Sequence, residues 1–103
     1  MTTNFNNTDK VAPIHATTLL KQASDTIGNR AAERDTKDER SMKACVDAFN
    51  GLYGTSLTEE QGWSFMVLLK LSRAKGGKIR VDDYQDAISY CALMGEAAVR
   101  DRS

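Results

Sequence analysis

The chain has 103 residues, and 14 Lys+Arg against 14 Asp+Glu give a formal net charge of zero. That length supports one domain with a single core of three or four elements. The charge balance excludes a globally basic nucleic-acid coat, and 41% hydrophobic with 27% charged residues is globular composition, neither disordered nor membrane-like.

Residues 1–14, rich in Thr and Asn and holding the one proline, Pro13, carry no periodic pattern. They read as a flexible N-terminal arm, with Val11 and Ile14 as its candidate anchor points on the core. Residues 15–103 form the predicted domain. Its first helix spans about Ala16 to Ile27, where Leu19, Leu20, Ala23 and Ile27 recur at helical spacing. Gly28-Asn29 is the expected stop. The charged stretch 29–41 then reads as mostly solvated, and Thr36 with Glu39 forms a capping-box pattern that predicts the start of the second helix. The apolar positions of that helix, Met42, Cys45, Phe49 and Leu52, make a one-sided stripe, and Gly54 sits where a C′ glycine belongs.

Thr58 with Gln61 is a second capping box, opening a third helix to about Lys75. Trp63, Phe65, Met66, Val67, Leu68, Leu69 and Leu71 cover almost its whole circumference. Such a helix is expected to be buried on several sides, at the centre of a bundle or in an oligomer interface. Gly76-Gly77 ends it. The fourth helix is expected to open at Asp82, with Gln85 three residues on, and to reach about Val99. Its apolar face is Tyr84, Ala87, Ile88, Cys91 and Met94-Gly95. No alternating run predicts a strand. The fold is therefore read as all-α, a small four-helix bundle-like domain with a C-terminal antiparallel helical hairpin.

The longest apolar run, Phe65 to Leu69, stops at Lys70, well short of the ~20 apolar residues a bilayer span needs. With no secretory segment in view, a cytoplasmic protein without membrane contact is expected. Cys45 and Cys91, on apolar helical segments, are expected as buried reduced thiols.

Acidic pairs are the first place to look for chemistry, because helical bundles hold metals between facing helices. Glu59-Glu60 opens the third helix and Asp82, Asp83 and Asp86 lie at the start of the fourth. In an antiparallel hairpin these ends stand ~22 Å apart, so they cannot share a site within one chain. With the turn near residue 77 or 78, Asp83 and Asp86 instead fall opposite Leu69, Lys70 and Arg73. The constellation expected is a charge-paired hairpin end, Lys70-x-x-Arg73 against Asp83-x-x-Asp86.

The second constellation is basic. Lys70, Arg73, Lys75, Lys78 and Arg80 occur with no acid between Gln61 and Val81. Arg73, Lys75, Lys78 and Arg80 flank the Gly76-Gly77 loop, whose backbone N–H groups could meet a phosphate, nucleotide or nucleic-acid backbone. The loop lacks P-loop spacing, and no aromatic interleaves the bases for stacking. The zero net charge is thus a sum over a segregated pattern. Nucleophilic catalysis has little support: His15 is the one histidine, neither cysteine has a near partner to activate it, and no serine sits in a G-x-S-x-G context. No catalytic residue, metal or cofactor is assigned.

The stretch Ser64 to Arg73 (SFMVLLKLSR), the segment Asp82 to Tyr90 (DDYQDAISY), and the flanking Gly28-Asn29-Arg30 and Leu57-Thr58-Glu59-Glu60 together resemble a small family of tailed-phage proteins. The resemblance covers residues 17–98 and implies an all-helical phage accessory protein, with no characterised chemistry. Asp83-x-x-Asp86 is also similar to half of the metal site of MazG-like all-α nucleoside triphosphate pyrophosphohydrolases, in which an E-E-x-x-E helix faces an E-x-x-D helix around Mg²⁺. At the facing position this chain carries Lys70 and Arg73, and Glu59-Glu60-x-x-Trp63 lacks the third acid. Two cations there would repel Mg²⁺. The leading expectation is a non-enzymatic interaction protein that binds a host or phage macromolecule, with Trp63, Phe65 and Met66 as partner or homo-oligomer anchors. The alternatives are a phosphate binder through residues 73–80 and a divergent pyrophosphohydrolase.

Overall fold

The computed structural model describes residues 11–37 and 41–103, with the backbone alone for 30–37. Four helices follow one another: α1 (Ala16–Lys37), α2 (Ser41–Tyr53), α3 (Glu59–Lys75) and α4 (Val81–Asp101), with no strand among the described residues. The fold is all-α, and α3 and α4 form the expected antiparallel hairpin.

α1 does not stop at Gly28-Asn29. It runs ten residues past Ile27 to Lys37. A glycine inside a helix costs only about 1 kcal/mol relative to alanine, and the Arg30-Ala31-Ala32-Glu33-Arg34 segment that follows is made of strong helix formers. Thr36 is consequently inside α1 and does not cap α2, which begins at Ser41; Glu39 lies outside the described residues. Val11 and Ile14 are exposed, so neither anchors its segment to the core. The backbone carbonyl of His15 accepts from Thr18 and Leu19 at 3.0 and 3.1 Å, which makes His15 the main-chain cap of α1.

The start of α3 is local chemistry. The Gln61 N–H donates to Thr58 Oγ1 at 3.1 Å and the Thr58 N–H to Gln61 Oε1 at 2.9 Å, completing the capping box. The loop before it is fastened by Asn50 on α2. Asn50 Nδ2 donates to the Leu57 carbonyl, and Asn50 Oδ1 accepts from the Leu57 N–H and the Thr55 hydroxyl. Gly54 at φ 67° and Gly77 at φ 93° supply the left-handed turns that end α2 and connect the hairpin.

Two helices flank the hairpin. α1 packs on α4, and α2 packs on the N-terminal half of α3, where Met42 and Val46 close on Gly62. The α1–α4 contact is small and polar. Ala23 and Ser89 are buried, Ser89 Oγ donates to the Ala23 carbonyl at 3.4 Å, and Gln85 Nε2 donates to Thr26 Oγ1 at 2.9 Å. Gln85 is therefore not a capping-box partner. α4 opens at Val81, one residue before the expected Asp82, and its N-cap is Arg80, whose guanidinium has no acceptor to cap the helix.

The core is correspondingly slight. Among the described residues the buried apolar side chains are Ala23, Val46, Ala87 and Ala97. No residue of α3 is fully buried, and Phe65, Leu68, Leu69 and Leu71 are all exposed. The expected burial of this helix on several sides is not met within one chain: it has two neighbours, α2 and α4, and α2 reaches only its first half. Both cysteines are exposed free thiols and not buried ones: Met42 and Ala87 on the same stripes meet neighbouring helices, but Cys45 and Cys91 do not. No described helix is long and apolar enough to cross a membrane.

Candidate functional site

The hairpin register brings the predicted charges together. Lys70 Nζ lies 3.0 Å from Asp86 Oδ2, with both side chains largely covered, and Arg73 Nε lies 3.6 Å from Asp83 Oδ1. Asp83 is only 2% exposed, and its Oδ2 has no hydrogen-bond partner. The carboxylates that would serve a metal are thus occupied by cations, and no cluster of three or more metal-ligating side chains occurs among the described residues.

At the turn the basic residues divide. Arg73 leans on Asp83, whereas Lys75, Lys78 and Arg80 are exposed and make no ion pair among the described residues. Gly76 donates its N–H to the Arg73 carbonyl at 3.2 Å, closing the last turn of α3 before Gly77. The chemistry available here is Coulombic attraction of an anion at an exposed loop, without a walled pocket.

The three predicted anchors part company. Trp63 stacks on Tyr90 with ring centroids 5.5 Å apart and 23° between planes, closing the seam between α3 and α4. Met66 is half-buried. Only Phe65 projects, at 69% exposure. Sequence reasoning missed a second projecting group, on α2, where Leu52 is 74% exposed and Tyr53 packs its ring 4.7 Å from that of Phe49. The stripe was visible, but nothing in the sequence said that α2 would cover α3 with its first half alone.

At the open end of the hairpin, Glu59 and Glu60 are held by α4. Arg100 Nη2 meets Glu59 Oε1 at 3.2 Å and Arg102 Nη1 meets Glu60 Oε1 at 3.1 Å. Lys43, Asp47, Glu59, Arg100 and Asp101 line an open cleft of about 520 Å³ between α2 and the hairpin. Its charges are mutually satisfied. The hydrogen bond from Lys43 to Asp47 and the charge of that carboxylate raise the lysine above its ordinary value, and Asp101, then Glu59, do the same for Arg100. The cleft is a polar clamp in which two cations, Lys43 and Arg100, meet three carboxylates, Asp47, Glu59 and Asp101.

The family profile of a domain of unknown function (DUF6378) matches residues 18–98. The matched stretch starts near the beginning of α1 and ends within the last turn of α4, so it includes all four helices, the charged hairpin end and the basic turn. No curated protein and no solved structure matches the chain. With the match covering most of its length, the chain belongs to the DUF6378 family.

Proposed function

We propose that this chain is a non-enzymatic, phage-encoded accessory protein that binds a protein partner of host or phage origin in the host cytoplasm. The observation that carries this reading is the projection of Phe65 from α3 and of Phe49, Leu52 and Tyr53 from α2 into solvent. Aromatic and aliphatic side chains in that state lose hydration cost on contact, and aromatics dominate the energetics of known interfaces. The neutralised acids at both ends of the hairpin fit an interaction module better than a hydrolytic one. The resemblance to tailed-phage proteins supports the source.

The test is capture on the immobilised chain from host lysate, infected and uninfected, in parallel with the double variant Phe65→Ser, Leu52→Ser. One protein retained near stoichiometry by the parent and lost from the variant, with unchanged helical circular dichroism, is the expected result. Identical proteins on both columns would overturn it.

A second reading has its own observation. Lys75, Lys78 and Arg80 form an exposed cationic turn that intramolecular acids leave unpaired among the described residues. Such a turn suits a phosphate group. A thermal-shift panel of nucleotides and oligonucleotides, with and without Mg²⁺, decides it, because a ligand of the native state raises the melting temperature. A shift that disappears in Lys78→Glu, Arg80→Glu supports the reading, and no shift with any member removes it.

A further inference from the structure

α1 is held differently from the rest of the fold. The α3–α4 seam is closed along its length by the Trp63–Tyr90 stack, by Lys70–Asp86 and Arg73–Asp83 near the turn, and by Glu59–Arg100 and Glu60–Arg102 at the open end. α2 seats Met42 and Val46 on Gly62, and Asn50 ties down the loop that leads to α3. α1 packs on α4 and on no other described helix. Its covered stripe is Leu19, Gln22, Ala23, Thr26 and Ile27. Only Ala23 is fully buried there; the other four are half-buried, and Gln22 and Thr26 are polar.

We infer that α1 is a detachable strap: it undocks from α4 as one helix while α2, α3 and α4 stay packed, and so uncovers the Gln85–Ser89 stretch of α4. The polar inventory is the first argument. Ser89 Oγ donates to the Ala23 carbonyl at 3.4 Å, but its shorter bond, 3.1 Å, runs to the Gln85 carbonyl in its own helix. Thr26 Oγ1 accepts from Gln85 Nε2 across the interface and donates to the Gln22 carbonyl within α1 at 3.0 Å. Undocking therefore leaves both hydroxyls bonded, and Gln85 Nε2 exchanges its acceptors on α1 for water.

The second argument is a cost that docking carries. Gln22 Oε1 is buried in the docked state and has no hydrogen-bond partner. Gln22 lies on the stripe that meets α4, so undocking hydrates this oxygen. What holds α1 down is then the burial of Ala23 and of parts of Leu19 and Ile27, little apolar area for a helix of 22 residues. Elements with few buried apolar contacts and replaceable hydrogen bonds are the ones that open below the global unfolding free energy. The strap is independent of the Phe65 and α2 surface and of the basic turn, to which no residue of this stripe belongs.

Hydrogen exchange of the full chain, read by mass spectrometry at neutral pH, tests this. Amides of residues 19–27 are expected to exchange at least ~100-fold faster than those in the middle of α3 and α4, and with closely similar protection along the segment, as a helix leaving in one step requires. Gln22→Met removes the orphaned oxygen at nearly the same length and is expected to slow that exchange roughly 10-fold, with α3 and α4 unchanged. Ala23→Arg, at a position 2% exposed, is expected to strip α1 of protection while the α3–α4 seam keeps its own. Protection of α1 equal to that of α3 and α4 would overturn the inference, as would loss of α3–α4 protection in Ala23→Arg. Protection that fades from Ala16 inward, or exchange in Gln22→Met no slower than in the parent, would overturn it too.

Discussion

The two sides of the α3–α4 hairpin use their side chains in opposite ways. On the flanked side, α1 packs through small and polar groups, Ala23 against Ser89 and Thr26 against Gln85, and α2 sets Met42 and Val46 on the bare backbone of Gly62. On the open side stand Leu68, Leu71, Tyr84 and Val99, larger and exposed. Burying a large aliphatic side chain stabilises by ~1.5–3 kcal/mol. A fold that needed only internal stability would place these residues inward. Their outward position leaves much of the apolar bulk of this chain in solvent, while close backbone approach and hydrogen bonds hold the helices in place.

Gly62 and Gly95 give the sharpest way to break that comparison. A Cβ on Gly62 collides with the Met42 side chain and comes within 3.0 Å of Val46 Cγ1, whereas the same atom on Gly95 meets nothing. Gly62→Leu is expected to lower unfolding free energy by about 3 kcal/mol, the upper part of the overpacking range, and to detach α2 from α3. Gly95→Leu should leave the protein as stable as the parent or slightly more so, since glycine is a poor helix former. Urea denaturation of the two variants checks both. Equal destabilisation by the two would mean that the sides do not differ as described.

The seam between the two sides carries the next largest effect. Asp83 is buried, and its one charged neighbour is Arg73, itself about half exposed at 3.6 Å. Arg73→Ala should cost ~1–3 kcal/mol, because it leaves a buried carboxylate without its counter-charge. Because the penalty belongs to the stranded carboxylate, adding Asp83→Ala to Arg73→Ala should restore part of the loss. Additive losses in the double variant would show that Arg73 acts through its packed methylenes and not through its charge.

What the sequence made legible follows from how far each determinant reaches along the chain. The Thr58–Gln61 capping box and the Gly54 turn depend on residues within four positions, and both stand as read. The pairing of Lys70 with Asp86 and of Arg73 with Asp83 needed only one further step, the register of a short hairpin. The Asp82–Gln85 pattern has the same local grammar as Thr58–Gln61, yet α4 begins at Val81, which puts Asp82 inside the helix, and Gln85 meets Thr26, 59 positions away. Local spacing carries no record of that competitor. Gly28 reads as a stop by the same local logic, but the helix formers after it outweigh one glycine. Cys45 and Cys91 lie on apolar stripes that periodicity identifies and on surfaces that no neighbouring helix covers. Periodicity tells which residues share a face; it does not tell whether anything lies against that face.

The smallest expected effect belongs to the flanked side, at the rim of its polar cleft. Lys43 donates to Asp47 at 2.8 Å, and this hydrogen bond with the carboxylate's charge lifts the ammonium above its ordinary value of 10.5. A folded-state value above the unfolded one means that the contribution is fully present below the unfolded value. It is lost as pH rises through the folded value. Both side chains are exposed and water screens them, so the contribution is slight. The melting temperature of the parent should therefore fall a little more steeply than that of Asp47→Asn as pH rises past the ordinary lysine value of 10.5, with the gap between the two proteins closing as Lys43 loses its proton. A gap that stays constant through the titration would mean that Asp47 contributes by helix packing alone. A gap as large as the effect of Arg73→Ala would place an exposed pair on the flanked side level with the buried seam, and the distinction between polar rim and covered seam would have to be redrawn.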